Sequence, residues 1–150
     1  MQAHDRESIQ IVEEPRRQEL IQSCYRIIGC MHEVHKQLGP GLPEYIYQEA
    51  LTTELHANHF TIHKEQEFHP VYRGREMKAY LKMDLVVENA TEKIIIECKA
   101  LSGLTAKERY QTFGYLRATG WPIAILVNFG TNPKAQIERY YNDKGVIKVF

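Results

Sequence analysis

The chain has 150 residues, and its 19 lysine and arginine residues balance its 19 aspartate and glutamate residues, so the formal net charge is zero. This balance excludes a strongly basic nucleic-acid clamp, because affinity for phosphates comes mainly from lysine and arginine. Hydrophobic residues at 43% and charged residues at 25% exclude a disordered or fibrous protein. The length predicts a single domain over residues 1–150 that buries its own core.

Cysteine usage and hydropathy indicate the compartment. The three cysteines, Cys24, Cys30 and Cys98, show neither CxxC spacing nor a disulfide framework. This pattern is typical of a reducing compartment, so we expect a cytoplasmic protein. No apolar run resembles a signal peptide or approaches the roughly 20 apolar residues of a membrane span. We therefore expect no membrane partner.

The first part of the chain predicts two helices. Residues 1–14 are polar and aperiodic, and they predict a flexible N-terminal arm. Apolar residues from Leu20 to Leu38 recur at three- and four-residue spacing, which predicts a helix that ends before Gly39. A second helix is predicted from Pro43, at its first helical position, to about Asn58. We expect the two helices to pack together.

The hydrophobic period then changes to that of strands. Phe60 to Tyr72 predicts strands that end in a turn at Arg73-Gly74-Arg75. Tyr80 to Glu88 alternates, and four apolar residues are predicted to share one face: Leu81, Met83, Leu85 and Val87. The polar stretch 88–93 predicts a turn. Together these patterns predict antiparallel strands in this part of the chain.

The second half predicts a buried strand, a helix and further strands. Ile94-Ile95-Ile96 at the start of a strand through Lys99 favours a central position covered on both sides. A capping-box sequence from Thr105 to Glu108 opens a helix that stops at Gly120. A buried strand over 122–128 and two short strands over 137–141 and 146–150 follow. This order predicts an α/β (α+β) domain with a central sheet.

Charged residues at the end of the isoleucine run indicate where a functional site lies. Side chains alternate along a strand, so Glu97 and Lys99 share one face. A buried charge without a partner costs several kcal/mol, so these groups need a partner, a metal or water. Asp84, on the neighbouring strand of a hairpin, is the expected third member. Two carboxylates and a lysine suit a Mg²⁺ site for phosphodiester hydrolysis, although the motif alone favours a salt-bridged edge strand.

A longer series of motifs resembles a known family. Residues 39–47, GPGLPEYIY, resemble the signature of the GxxExxY protein family, with Gly41, Glu44 and Tyr47 at the named positions. Further matches follow in order: Asp84, Glu97-Cys98-Lys99, Gln111, residues 115–120 and Asn128-Phe129-Gly130. The resemblance covers about residues 20 to 141. It implies the PD-(D/E)XK nuclease superfamily and its restriction-endonuclease-like core, in which helices flank a central mixed sheet.

The resemblance also implies roles for individual residues. Asp84 and Glu97 match the metal ligands of the superfamily, Lys99 its catalytic lysine, and Glu44 the helical acid that completes the metal shell. On the helix after the lysine strand, Gln111 matches a position that often reaches the site, and Tyr115 lies one turn further along the same face. We expect both to bind nucleic acid, so these six are the candidate site residues. They imply a nuclease dependent on Mg²⁺ or Mn²⁺ that acts on nucleic acid, with DNA favoured over RNA.

Other interpretations of the same residues stay open. Glu44 near a helix start also suits the helix dipole, and Gln111 and Tyr115 also suit the surface of an amphipathic helix. The neutral charge and small size are compatible with a non-catalytic nuclease-fold module for binding or assembly. A homodimer or a larger complex is compatible with either function.

Overall fold

The computed structural model of the protein describes residues 15–89 and 92–150. The N-terminal arm predicted for residues 1–14 lies outside this described part. Within it, no helix is long and apolar enough to cross a membrane. The elements are α1 (Pro15–Leu38), α2 (Glu44–Ala57), β1 (Thr61–Phe68), β2 (Val71–Tyr72), β3 (Arg75–Glu76), β4 (Leu81–Asn89), β5 (Glu92–Lys99), α3 (Ala106–Thr119), β6 (Ile123–Asn128), β7 (Gln136–Asp143) and β8 (Val146–Val149).

Six strands form a central sheet in the order β1-β4-β5-β6-β7-β8. The β5 and β6 strands are parallel and are joined by the helix α3, whereas every other neighbouring pair is antiparallel. The β2 and β3 strands pair only with each other. The predicted fold class, an α/β (α+β) domain with a central mixed sheet flanked by helices, is confirmed.

Apolar packing covers both faces of the sheet. The helices α1 and α2 pack together on one face, where Ile94 and Ile96 belong to their core cluster. The helix α3 covers the other face and packs through Leu116 in the same cluster as Ile95. The three isoleucines are 0% exposed, and burial of each contributes about 1.5–3 kcal/mol. The β5 strand is therefore central, and the alternative of a salt-bridged edge strand is wrong.

Two predicted boundaries differ from the structure. Pro43 has ψ 149°, which is extended, so it caps α2 and the first helical residue is Glu44. The turn predicted over 88–93 is wrong at both ends, because β4 and β5 pair at Glu88–Lys93 and Asn89–Glu92. The hydrogen bonds of the ladder join backbone N–H and C=O groups, so polar side chains at the strand ends do not end the pairing.

Side-chain alternation is interrupted in the middle of β4. The prediction that Met83 shares a face with Leu85 is wrong, since Met83 packs in the α3 cluster and Leu85 in the α1–α2 cluster. The β1–β4 ladder omits the pair between Glu65 and Asp84, and Glu65 has φ +50° in the left-handed region. A local distortion of both strands at this pair lets the side chains change faces.

Candidate active site

Asp84 and Glu97 hold each other through reciprocal hydrogen bonds to the backbone. The Asp84 N–H donates to Glu97 Oε2 at 2.8 Å, and the Cys98 N–H donates to Asp84 Oδ2 at 2.9 Å. These bonds begin where the β4–β5 backbone ladder ends, next to the Leu85–Ile96 pair. Among the described residues, Asp84 Oδ1 and Glu97 Oε1 accept no hydrogen bond. The pair is fixed in place with one oxygen of each carboxylate uncommitted.

Burial and mutual repulsion oppose ionisation of this pair. Glu97 is 2% exposed, and burial followed by the charge of Asp84 raises its pKa to about 8. Burial also raises the pKa of Asp84, while the Cys98 N–H and the charge of Lys99 lower it. Two carboxylates in one desolvated site do not ionise together without a compensating cation. The site therefore favours a positive charge beside both groups.

Lys99 and α3 complete one side of the site. Lys99 follows Glu97 by two residues on β5, and its Nζ donates to Gln111 Oε1 at 3.0 Å. Tyr115 lies one turn beyond Gln111, and its Oη is 3.5 Å from the Lys82 carbonyl oxygen. Burial, followed by the charges of Glu97 and Asp84, raises the pKa of Tyr115 to about 12. The structure thus brings Gln111 and Tyr115 to the carboxylate pair.

Glu44 approaches the site from the other helical layer. It is the first residue of α2 and is half-buried. Burial and the charge of Asp84 raise its pKa, while the charge of Lys99 lowers it. Glu44 is therefore near enough to sense both groups electrostatically. Its position at the N-terminus of the helix also places its carboxylate at the favourable end of the helix dipole.

The donor set fits a hard divalent cation. Across residues 15–89 and 92–150, no three His, Cys, Asp or Glu side chains are already grouped to hold a metal ion. Mg²⁺ needs no such cage, because it is commonly held by one or two carboxylates, several waters and substrate phosphate oxygens. The uncommitted oxygens of Asp84 and Glu97 are the donors that would hold it, and Glu44 is the nearby third acid.

Comparison with known proteins decides the family. A family model described as the PD-(D/E)XK nuclease superfamily matches residues 21–140. The chain belongs to the PD-(D/E)XK nuclease superfamily. The expected superfamily is thereby confirmed, while the finer assignment to the GxxExxY family stays a prediction.

A comparison with solved structures found one titled "Crystal structure of SSO0001". It is 22% identical, with a TM-score of 0.48 over 63% of this chain. The match covers 48% of that chain, so this protein spans about half its length. No curated protein matches the sequence.

One feature of this PD-(D/E)XK chain that sequence reasoning left without a role is Tyr47. Its hydroxyl donates to the Gly39 carbonyl oxygen at 2.6 Å and accepts from the Leu42 N–H at 3.1 Å. The ring stacks on Phe129 with centroids 4.8 Å apart and planes 7° apart. Tyr47 thus fixes the loop that leads to Glu44. Its place in the Gly41-x-x-Glu44-x-x-Tyr47 spacing was the available signal.

A second support in the PD-(D/E)XK chain lies at the end of β6. The buried Asn128 accepts from the Leu101 N–H at 2.8 Å and donates to the Leu101 carbonyl oxygen at 2.9 Å. A Cβ on Gly130 would lie 2.1 Å from that same carbonyl oxygen, so only glycine allows this close approach. The Phe129 N–H also donates to the Lys99 carbonyl oxygen at 2.8 Å. These contacts fix the backbone around Lys99.

Proposed function

We propose that this protein is a metal-dependent nuclease that hydrolyses phosphodiester bonds of nucleic acid, with DNA favoured over RNA. The observation that carries the proposal is the hydrogen-bonded Asp84–Glu97 pair, in which Glu97 is buried and Asp84 half-buried, with Lys99 beside it. Membership of the PD-(D/E)XK nuclease superfamily supports the same chemistry. Mg²⁺ or Mn²⁺ is the proposed cofactor. The three cysteines are buried and unpaired, which fits the proposed cytoplasmic location.

Each group has a part in the proposed hydrolysis. Asp84 and Glu97 would hold the divalent cation, which would supply a bound water of lowered pKa and would neutralise charge on the phosphate. Water gives up a proton and adds to phosphorus as the bond to the leaving sugar oxygen breaks, and that oxygen takes up a proton from solvent water. Lys99 Nζ stabilises the negative charge that develops on the phosphate oxygens. Gln111 orients Lys99 through its 3.0 Å hydrogen bond.

A cleavage assay tests this proposal. Single-stranded, double-stranded and branched DNA and RNA are incubated with Mg²⁺ or Mn²⁺ and either the wild type, Lys99→Met or Asp84→Asn. Asparagine keeps an oxygen for the Cys98 N–H and removes the charge, so the fold is retained. Lys144→Met, in the exposed β7–β8 turn, is the matched control for loss of a lysine. We expect the two site variants to lose about 100-fold or more in rate and the control to lose none.

The same assay addresses the non-catalytic alternative. Full activity in both Asp84→Asn and Lys99→Met would contradict the assigned site. If the wild type cuts no substrate and calorimetry detects no binding of Mg²⁺ or Mn²⁺, the nuclease proposal fails and a non-catalytic nuclease-fold module takes its place.

A further inference from the structure

The strands β2 and β3 form a hairpin over residues 69–80 that is separate from the central sheet. Its turn is tight, because Arg73 at φ +50° and Gly74 at φ +75° both adopt the left-handed region. The base is closed by a 2.8 Å hydrogen bond from the Met77 N–H to the Pro70 carbonyl oxygen. The 69–80 hairpin is therefore an ordered projection with few contacts to the rest of the chain.

Aromatic and apolar side chains on the 69–80 hairpin are left uncovered. Every residue from 71 to 80 is exposed, with Tyr72 at 64%, Val71 at 64% and Tyr80 at 52%. Val71 and Tyr72 are consecutive in β2 and lie on opposite faces of the hairpin, so each face carries an exposed apolar side chain. The 69–80 hairpin thus presents a surface that suits a partner with planar or apolar groups.

The charge of the 69–80 hairpin narrows the choice of partner. It carries the cations Arg73, Arg75 and Lys78 against the single acid Glu76, within a chain whose net charge is zero. None of the three cations forms an ion pair with another residue of the described ranges. Cations without an acidic partner, beside exposed aromatic rings, complement a partner with phosphates and bases.

The arrangement of these groups favours an unpaired strand. Tyr72 and Arg75 are directly opposite in the ladder and share a face, and the Arg73 guanidinium carbon lies 5.8 Å from the centroid of the Tyr72 ring. Unpaired bases stack on exposed aromatic rings while nearby cations contact the phosphates. Bases inside a duplex are stacked on each other and do not present their faces to such a ring.

The 69–80 hairpin lies next to the candidate active site along the chain. It leaves β1 after Phe68 and joins β4 at Leu81, and Asp84 is the fourth residue of that strand. At about 3.3 Å per residue, the backbone from Tyr80 to Asp84 spans at most about 13 Å. A strand bound at Tyr80, at the base of the hairpin, is therefore within reach of the carboxylate pair.

We propose that the 69–80 hairpin binds an unpaired segment of the nucleic-acid substrate and leads it to the Asp84–Glu97 pair. Tyr72 and Tyr80 supply stacking, and Arg73 and Arg75 contact phosphates. The inference rests on the proposed nuclease function, because it assigns the substrate of that same site as a single strand or a strand with an unpaired flank.

Equilibrium binding measured by fluorescence anisotropy tests the inference. The probe is a labelled 20-nucleotide DNA, used as a single strand and as a blunt duplex, with Mg²⁺ present and all proteins carrying Lys99→Met to prevent cleavage. Two double variants are compared, Tyr72→Ala with Tyr80→Ala and Arg73→Gln with Arg75→Gln. The control is Tyr25→Ala on α1, where the side chain is 78% exposed. Thermal denaturation verifies that these surface changes leave the fold intact.

We expect the tyrosine variant to bind the single strand at least tenfold more weakly than its parent. The arginine variant should also bind more weakly and lower the slope of log affinity against log salt by about 0.7 for each lost phosphate contact. The duplex should bind more weakly than the single strand to the parent, and Tyr25→Ala should change neither affinity.

Two results would overturn the inference: single-strand binding unchanged in both double variants, or a duplex bound as tightly as the single strand. Cleavage assays then use the same hairpin variants with Lys99 restored. They distinguish failure of the hairpin inference from failure of the proposed nuclease function. Hairpin variants that bind and cut as the wild type does refute the inference and leave the nuclease intact. Hairpin-dependent binding by a wild type that cuts no substrate and binds neither Mg²⁺ nor Mn²⁺ supports the hairpin as a nucleic-acid-binding surface and refutes the nuclease.

Discussion

Replacement of Glu97 by glutamine tests whether the buried carboxylate pair is held at a cost to stability. Glutamine keeps a side-chain oxygen that accepts the hydrogen bond from the Asp84 N–H. It removes the charge whose ionisation is opposed by burial and by Asp84. Because the unfolded chain hydrates this carboxylate freely, we expect Glu97→Gln to be more stable than the wild type at neutral pH when no metal is present.

The magnitude follows from the pKa of Glu97, which rises from 4.5 to about 8 on folding. The carboxyl group of Glu97 holds its proton more tightly in the folded state than in the unfolded state. The protonated group therefore stabilises the fold below pH 4.5, and this stabilisation is lost as the pH rises to 8. One pKa unit corresponds to about 1.4 kcal/mol. At pH 7, about 2.5 units above 4.5, the loss is about 3 kcal/mol, and above pH 8 it reaches about 5 kcal/mol.

Urea denaturation of both proteins at pH 5, 7 and 9 in EDTA measures this difference. The pH dependence separates the charge from any packing cost of the glutamine, which does not change with pH. Added Mg²⁺ should reduce the advantage of the variant, because a cation held by the ionised pair stabilises only the wild type. A stability difference that is constant with pH, or one that turns against the variant as the pH rises, would refute the reasoning.

Three further predictions concern the supports of the site and the ion pair between α3 and β7. Tyr47→Phe keeps the stacking on Phe129 but leaves the Gly39 carbonyl oxygen without its donor, so thermal or urea denaturation should show a loss of about 1–2 kcal/mol, and nuclease activity should fall because the loop before Glu44 loosens. Gly130→Ala forces a Cβ against the Leu101 backbone, so the same measurement should show a loss of about 1–3 kcal/mol, whereas Gly114→Ala, where nothing lies within 4 Å, should show none. Glu138→Gln breaks the paired hydrogen bonds from Arg109, and the loss should be about 1 kcal/mol at pH 7. The hydrogen bonds from Arg109 lower the pKa of Glu138, so its contribution is present above its ordinary pKa and the difference should shrink as the pH falls from that value through the lowered pKa of the folded state. A stability difference between the wild type and Glu138→Gln that is as large at pH 3 as at pH 7 would contradict this assignment.

Periodicity was sufficient to predict the helices and the central strands. The apolar spacing of α1 and the isoleucines of β5 reflect which faces of these elements are buried. A strand that is apolar on both faces needs helices on both sides of the sheet, as β5 has. Glu97 and Lys99 were predictable as a functional site because charged side chains at the end of an apolar strand need compensation. The superfamily followed from the order of several motifs and not from any one of them.

The distortion of β4 and the supports of the site could not be predicted in this way. The change of face between Met83 and Leu85 depends on the backbone of Glu65 in the neighbouring strand, which a one-strand pattern does not contain. Tyr47 and Asn128 act through backbone atoms of loops distant in sequence, and any large aromatic or buried amide would show the same local pattern. Their roles depend on contacts that only the folded chain defines.

The most direct test of the account separates metal binding from cleavage at the Asp84–Glu97–Lys99 site. Calorimetric titration with Mn²⁺ and single-turnover cleavage of single-stranded DNA are measured for the wild type, Lys99→Met and Glu97→Gln. We expect Lys99→Met to bind the metal as well as the wild type does but to cut at least about 100-fold more slowly, and Glu97→Gln neither to bind the metal nor to cut DNA. Wild-type cleavage by Lys99→Met, or undiminished metal binding by Glu97→Gln, would contradict it.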